Sequence, residues 1–282
     1  MRYALALLFF TTGATPVWAQ GTPWLPIPKS GSASVSYVYQ DAEKFYRGKS
    51  KVQLPFQGIE QSTVLISLNY GLTDALAFDV QGGHSDVNRD IGPGDSGMMD
   101  TTLGLTWRVL DEEISEAGAP SVAIRVAGII AGDYETGFPH AIGDGGDGFE
   151  ASLLAGKIFD NRFALSGEIG RRERSNKIPG ETYLNISAYL IPAPRLILQA
   201  QYHKTMADSD LDIGAPGFSP ARFPETDEDV DRIALGGTFS LTDNISLGFN
   251  WFSVLDGRNT ADFEAFMGTA SINFDLYQLG AK

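Results

Sequence analysis

The chain has 282 residues, no cysteine, and 35 acidic against 21 basic side chains, a formal charge of −14. The lack of cysteine excludes a disulfide framework, a thiolate metal site and a lipidated N-terminal cysteine. The acidity argues against nucleic acid, whose phosphates need a basic face, and 32 glycines suit tight turns and crowded barrel walls better than helices.

Residues 1–19 read as a cleaved signal peptide: Arg2 is the positive n-region, residues 4–10 the apolar core, and Val17-Trp18-Ala19 the cleavage site before Gln20. The apolar run is too short to span a bilayer, and Thr11, Thr12, Gly13 and Pro16 break it. Without it, 20 basic side chains face 35 acidic ones, a charge of −15. No later stretch offers eighteen consecutive apolar residues, so any membrane crossing is made with strands. Residues 20–31, punctuated by Pro23, Pro26 and Pro28, read as an extended N-terminal segment on the periplasmic side. The sequence leaves open whether it enters the mouth of a barrel.

From residue 32 onward, stretches of about ten residues alternate apolar and polar. The first, 32–40, puts Ala33, Val35, Tyr37 and Tyr39 on one face, and the second is 61–70. The third, 75–83, sets Leu76, Phe78 and Val80 against Ala77, Asp79 and Gln81. The fourth, 101–110, sets Leu103, Leu105, Trp107 and Val109 against Thr102, Gly104, Thr106 and Arg108. The fifth is 121–132, the sixth, 149–159, alternates less cleanly, and the seventh opens at Phe163. The eighth, 182–190, sets Leu184 and Ile186 against Tyr183, Asn185 and Ser187. The ninth sets Leu198, Ala200 and Tyr202 against Gln199, Gln201 and His203; the tenth is 231–240. The eleventh sets Ile245, Leu247, Phe249 and Trp251 against Ser246, Gly248 and Asn250, and the twelfth carries Ile272 and Phe274.

The connections carry the topology. Even-numbered ones are short turns, apart from a modest one at 111–120; odd-numbered ones run 41–60, 84–100, 133–148, 171–181, 206–229 and 253–262. That phase is what an even-stranded barrel with both termini in the periplasm requires. The expected fold is therefore all-β: a transmembrane antiparallel up-and-down β-barrel of about twelve strands over residues 32–277, with short periplasmic turns and long extracellular loops. The polar face is thin in charge and rich in small residues, which fits a lumen. In a water-soluble barrel the apolar face would point inward instead. Tyr70, Trp107, Phe163, Tyr202, Phe249 and Trp251 lie near strand ends, where interfacial girdles form.

Three stretches carry a resemblance: Tyr70-Gly71-Leu72-Thr73-Asp74-Ala75-Leu76, Asp100-Thr101-Thr102-Leu103-Gly104-Leu105, and Arg125 with Ala131-Gly132-Asp133-Tyr134-Glu135-Thr136-Gly137. In these the chain resembles the outer-membrane barrel family named for the MetA-pathway of phenol degradation, over roughly residues 60–276. The resemblance implies a barrel in the outer membrane and transport of aromatic compounds; it brings no catalytic or binding residue set. Outer-membrane barrels commonly finish on an aromatic residue read by the barrel assembly machinery. This chain runs past Tyr277, so residues 278–282 are expected to form a short tail.

Parity places Arg108, Arg125, Glu150 and Glu168 on the polar face, as lumen or selectivity candidates. Arg125 and Glu168, two strands apart at similar height, read more simply as an ion pair bracing the wall. The segment 206–229 holds Asp208, Asp210, Asp212, Glu225, Asp227, Glu228 and Asp229 against Arg222. Asp208, Asp210 and Asp212 have the opening spacing of a calcium loop, but Ile213 stands where glycine is needed and Ser219 where glutamate is. No specific metal site is expected; these aspartates are candidates for loop contacts to divalent ions bridging to lipopolysaccharide. The run 214–224 is too apolar for a free loop, so Phe218, Arg222 and Phe223 are predicted to fold over the mouth as a lid. The stretch 144–148 reads as a turn. For catalysis, His203 and Thr205 share a face, yet the sequence names no orienting carboxylate or amide; His84 and Ser85 point apart, and His140 lies in a loop.

The sequence thus reads as an exported outer-membrane channel for passive passage of small solutes, with no enzyme activity and no cofactor. Its expected partners are outer-membrane lipids and lipopolysaccharide, the barrel assembly machinery and a small-molecule solute. The alternative is a closed barrel with a structural or surface-binding role through its acidic loops, and a barrel hydrolase stands third.

Overall fold

The computed structural model describes residues 21–54, 58–89, 94–116, 118–138, 141–160 and 162–276. The expected leader at 1–19, the tail at 278–282 and His140 lie outside the described residues. Among the described residues fourteen strands form one antiparallel sheet: β1 Ser30–Arg47, β2 Ser50–Gln53, β3 Ile59–Thr73, β4 Leu76–Arg89, β5 Asp95–Met98, β6 Thr101–Leu110, β7 Ser121–Ile130, β8 Gly148–Phe159, β9 Phe163–Arg174, β10 Glu181–Ala193, β11 Leu196–Ala207, β12 Asp229–Ser240, β13 Ile245–Arg258 and β14 Ala261–Asp275. Twelve of them make the wall, each paired with its neighbours. β14 returns to β1 from Ser30↔Asp275 to Phe45↔Ala261, which closes the cylinder. β2 and β5 are short ribbons folded back on β1 and β4 above the wall. Closure pairs each wall strand with a neighbour on both sides, as a sheet in lipid demands.

The dressing is inverted relative to a soluble protein. Ile66 and Phe149 are 61% exposed on the outside, while Arg125 is 3% and Glu150 2% exposed on the inside. Apolar side chains therefore meet lipid, and polar ones are enclosed.

The structure corrects several predicted boundaries, most of them on the extracellular side, while β3 and β10 also run on into their periplasmic turns, to Thr73 and Ala193. β1 runs on to Arg47, β4 to Arg89, β9 to Arg174 and β13 to Arg258. Above the bilayer the ladder continues through polar residues, so the apolar signal ends before the strand does. The predicted long connection at 253–262 is only Asn259-Thr260, with Asn259 in the left-handed region (φ 52°) that asparagine tolerates. β8 alternates regularly after all: Glu150, Ser152, Leu154 and Gly156 point inward. Leu154 blurred the pattern because it is an apolar residue facing the lumen, where the N-terminal segment covers it.

Candidate functional site

The lumen is two-sided. Along one wall runs a belt of alternating charge: Asp79 on β4, Arg125 on β7, Glu150 on β8, Arg172 on β9 and Glu181 on β10. Arg125 donates to Asp79 at 2.7 and 3.1 Å and to Glu150. Arg172 donates to the other Glu150 oxygen at 3.2 Å and to Glu181 at 2.9 Å. Strand register sets this up, since Glu150 stands opposite Arg172 and Arg172 opposite Glu181. Gly104 on the intervening β6 makes the first link. A Cβ there would lie 2.4 Å from the Asp79 carboxylate and 2.5 Å from the Arg125 guanidinium. Buried pairs of this kind lose solvation and regain it through mutual hydrogen bonds, so removing one partner is what costs most. The facing wall carries an apolar patch, with Val38, Leu65, Met99, Phe252 and Met267 in one cluster, among inward polar residues such as Ser36, Thr63, Asn250 and Thr269.

The four predicted lumen charges are distributed along the barrel. Arg125 and Glu150 meet in the belt. Glu168 does not pair with Arg125; it accepts from Ser152 at 2.7 Å, Asn185 at 2.9 Å and the Gly21 amide at 3.2 Å. Arg108 sits at the periplasmic rim, where it binds the Asp74 carbonyl at 2.6 Å and Asp111 at 2.8 Å. Parity alone misses Arg172, because the polar run after Gly170 reads as a loop although β9 continues to Arg174, and it gives no sign that Asp79 pairs with Arg125.

The N-terminal segment enters the lumen from below. Lys29 is hydrogen-bonded to Gly71 at the periplasmic rim, and Gly21 reaches Glu168 inside. Trp24 is buried between them. Its indole N–H donates to Glu112 of the β6–β7 turn at 2.7 Å, and its ring meets Tyr189 edge-on at 6.2 Å. Gly156 gives the ring its place, since a Cβ there would stand 2.8 Å from Pro23 and from Trp24. A cavity of about 60 Å³ remains beside this segment, against Ser34, Ala77 and Asp79.

A hydrogen-bonded chain links that segment to the upper lumen. With its proton on Nδ1, His203 donates to Asn185 Oδ1 at 2.5 Å and accepts the Thr205 hydroxyl on Nε2 at 2.8 Å. Asn185 passes its amide N–H to Glu168, which also holds Gly21. The orienting amide that the sequence did not name is therefore Asn185, brought beside His203 by the β10–β11 register.

Two loops close the extracellular end. Phe223, in the short 3-10 turn Pro220–Glu225, packs with Phe45, Leu54, Ile59 and Val87, and Ile142 of the loop after β7 joins them. Phe218 is half-buried, whereas Arg222 is exposed and bonds Gly217 and Glu225 within its own loop. Arg258 and Asn259 anchor this lid. Arg258 binds Asp212 at 2.7 and 3.0 Å and pairs with Asp227; Asn259 binds Asp212 at 2.9 Å and the Asp227 carbonyl at 2.8 Å. The hydrogen bond from Arg258 holds the Asp212 carboxyl below its ordinary range, while burial pushes Asp227 up to about 6. Asp208 is bound by Arg171 at 2.5 Å and Asp210 is exposed, so the three aspartates do not converge. Among the described residues no group of three or more acidic or histidine side chains could hold a metal ion. Below the lid lies a cavity of about 240 Å³ that reaches Thr205, Arg172, Arg174 and Arg232.

Among solved structures the chain is similar to the COG4313 outer membrane channel from Pseudomonas putida F1, with a TM-score of 0.71 and 15% identity over 91% of this chain and 100% of that one. It is also similar to the NanC porin, with a TM-score of 0.54 and 6% identity over 86% of this chain and 100% of that one. At these identities the likeness shows the fold, an outer-membrane β-barrel. No family model matches the chain, and no curated protein matches it. The resemblance to the phenol-degradation family thus rests on the residues that carry it.

Proposed function

We propose that this barrel is an outer-membrane channel for passive diffusion of small solutes, with its N-terminal segment as the constriction. The observation that carries this reading is the enclosed lumen: a mostly polar lining with one apolar patch and cavities at both ends, inside a cylinder dressed for lipid. The names of the two similar structures, a channel and a porin, agree with it. The apolar patch suits solutes with an aromatic ring, which is also what the family resemblance implies. Export by a cleaved leader at 1–19, insertion by the barrel assembly machinery and contact of the acidic loops with lipopolysaccharide belong to the same proposal.

Liposome swelling tests it. Vesicles carrying the protein should swell faster in small neutral solutes than empty vesicles, and faster still once residues 20–29 are removed. Equal swelling in all three would favour the closed barrel that acts through its loops. The Thr205–His203–Asn185 chain is read as lumen wall rather than catalyst, because threonine is a poor nucleophile there. Lipid hydrolysis abolished by His203→Ala would overturn that reading.

A further inference from the structure

We propose that the extracellular cavity is a binding site for a small aromatic carboxylate, its ring against phenylalanines of wall and lid and its carboxylate received by Arg174. The inference rests on the channel reading and names a solute class for it. Three observations carry it. The cavity, about 240 Å³, falls below the roughly 300–1,000 Å³ of ordinary ligand pockets, so it suits a compact ligand. Phe45, Phe138, Phe223, Phe252 and Phe263 line it, and rings pack well on rings in offset or edge-on arrangements. Arg174, at the top of β9, lines it as well. Its Nη1 donates to Asp100 at 3.1 Å and stands 3.7 Å from Asp144. With Arg172 and Arg232 it brings three guanidinium groups to one cavity, and a guanidinium's planar fork of N–H donors matches a carboxylate.

The neighbouring charges allow an anion. Arg172 and Arg232 line the same cavity, from β9 and β12. Of the four carboxyls there, Asp100 belongs to Arg174 and Glu181 to Arg172. The other two lie on the closing loops, where burial pushes Asp144 up to about 6 and Glu228 up to about 8. Both shifts favour the protonated carboxyl, which lessens the repulsion of an incoming carboxylate.

Isothermal titration of the detergent-solubilised full chain at pH 6 with benzoate, benzyl alcohol and benzylamine tests the site. Benzoate should bind about tenfold or more tightly than either analogue, as expected for a charge-assisted hydrogen bond. Arg174→Lys keeps a cation for Asp100 but loses the forked donor, and should weaken benzoate about tenfold while the barrel keeps its heat-modifiable gel mobility. Phe223→Leu, outside the strands, gives a check independent of Arg174 and should weaken benzoate about two- to tenfold. Benzyl alcohol or benzylamine binding as well as benzoate, benzoate affinity unchanged in a folded Arg174→Lys or in Phe223→Leu, or no binding at all would overturn the site. A protein that swells liposomes yet ignores benzoate keeps the channel reading and loses this one. A protein that binds benzoate yet swells nothing keeps the site and loses the channel.

Discussion

Replacing Trp24 by alanine should open the periplasmic half of the lumen without unfolding the barrel. Trp24 is 4% exposed, donates to Glu112 at 2.7 Å and packs on Tyr189 and Gly156, yet it pairs with no strand of the wall. Truncating a buried tryptophan to alanine costs about 3–5 kcal/mol. At about 1.4 kcal/mol per factor of ten, the docked-to-undocked ratio of the segment falls roughly a hundred- to several-thousand-fold. The Lys29 bond to Gly71 and the Gly21 bond to Glu168 remain, so the segment stays tethered at the rim while its middle lets go. Two measurements check this in reconstituted vesicles: the swelling rate in a small sugar should rise, and residues 21–29 should become open to protease from the periplasmic face. Heat-modifiable mobility should be unchanged. An unaltered swelling rate together with unaltered protease access would refute the role of Trp24 as the bolt of this segment.

Gly104→Val should break the Asp79–Arg125 link by volume alone and cost about 3–5 kcal/mol, the range for breaking a buried ion pair; a lowered urea midpoint in micelles measures it. Ile66→Arg, on the lipid face of β3, should cost about 2–4 kcal/mol in vesicle folding, whereas Ser67→Asn on the lumen face should be nearly silent. The closed loops should loosen as pH rises. Asp227 and Glu228 have folded values raised above the ordinary carboxyl range, to about 6 and about 8. Their contribution is therefore full below that range and is lost as pH climbs through those values. Asp212 is shifted the other way and gives up its share only in acid. Limited proteolysis of the 208–228 loop should accordingly speed up between pH 5 and pH 9; a flat profile would contradict this assignment.

The wall was legible in the sequence because lipid imposes one rule on every strand: Val35, Ile66, Leu105, Ile124 and Phe249 all follow parity, and the structure exposes each of them. Legibility fades where lipid stops acting. Above the bilayer, Arg172 and Arg174 continue β9 through residues that a strand pattern reads as loop. Parity could also place Arg125, Glu150 and Glu168 in the lumen, but it could not choose their partners. That choice depends on cross-strand register and on Gly104 leaving room between β4 and β7. The N-terminal segment was opaque for another reason. Trp24 and Leu25 sit in a proline-rich stretch without periodicity, and only their contacts inside the lumen, such as Trp24 with Glu112 and Tyr189, give them a position.

Single-channel recording in planar bilayers tests the central claim most directly. The intact protein should give discrete current steps, and larger steps after removal of residues 20–29. Currents indistinguishable from protein-free bilayers, with and without that segment, would contradict it.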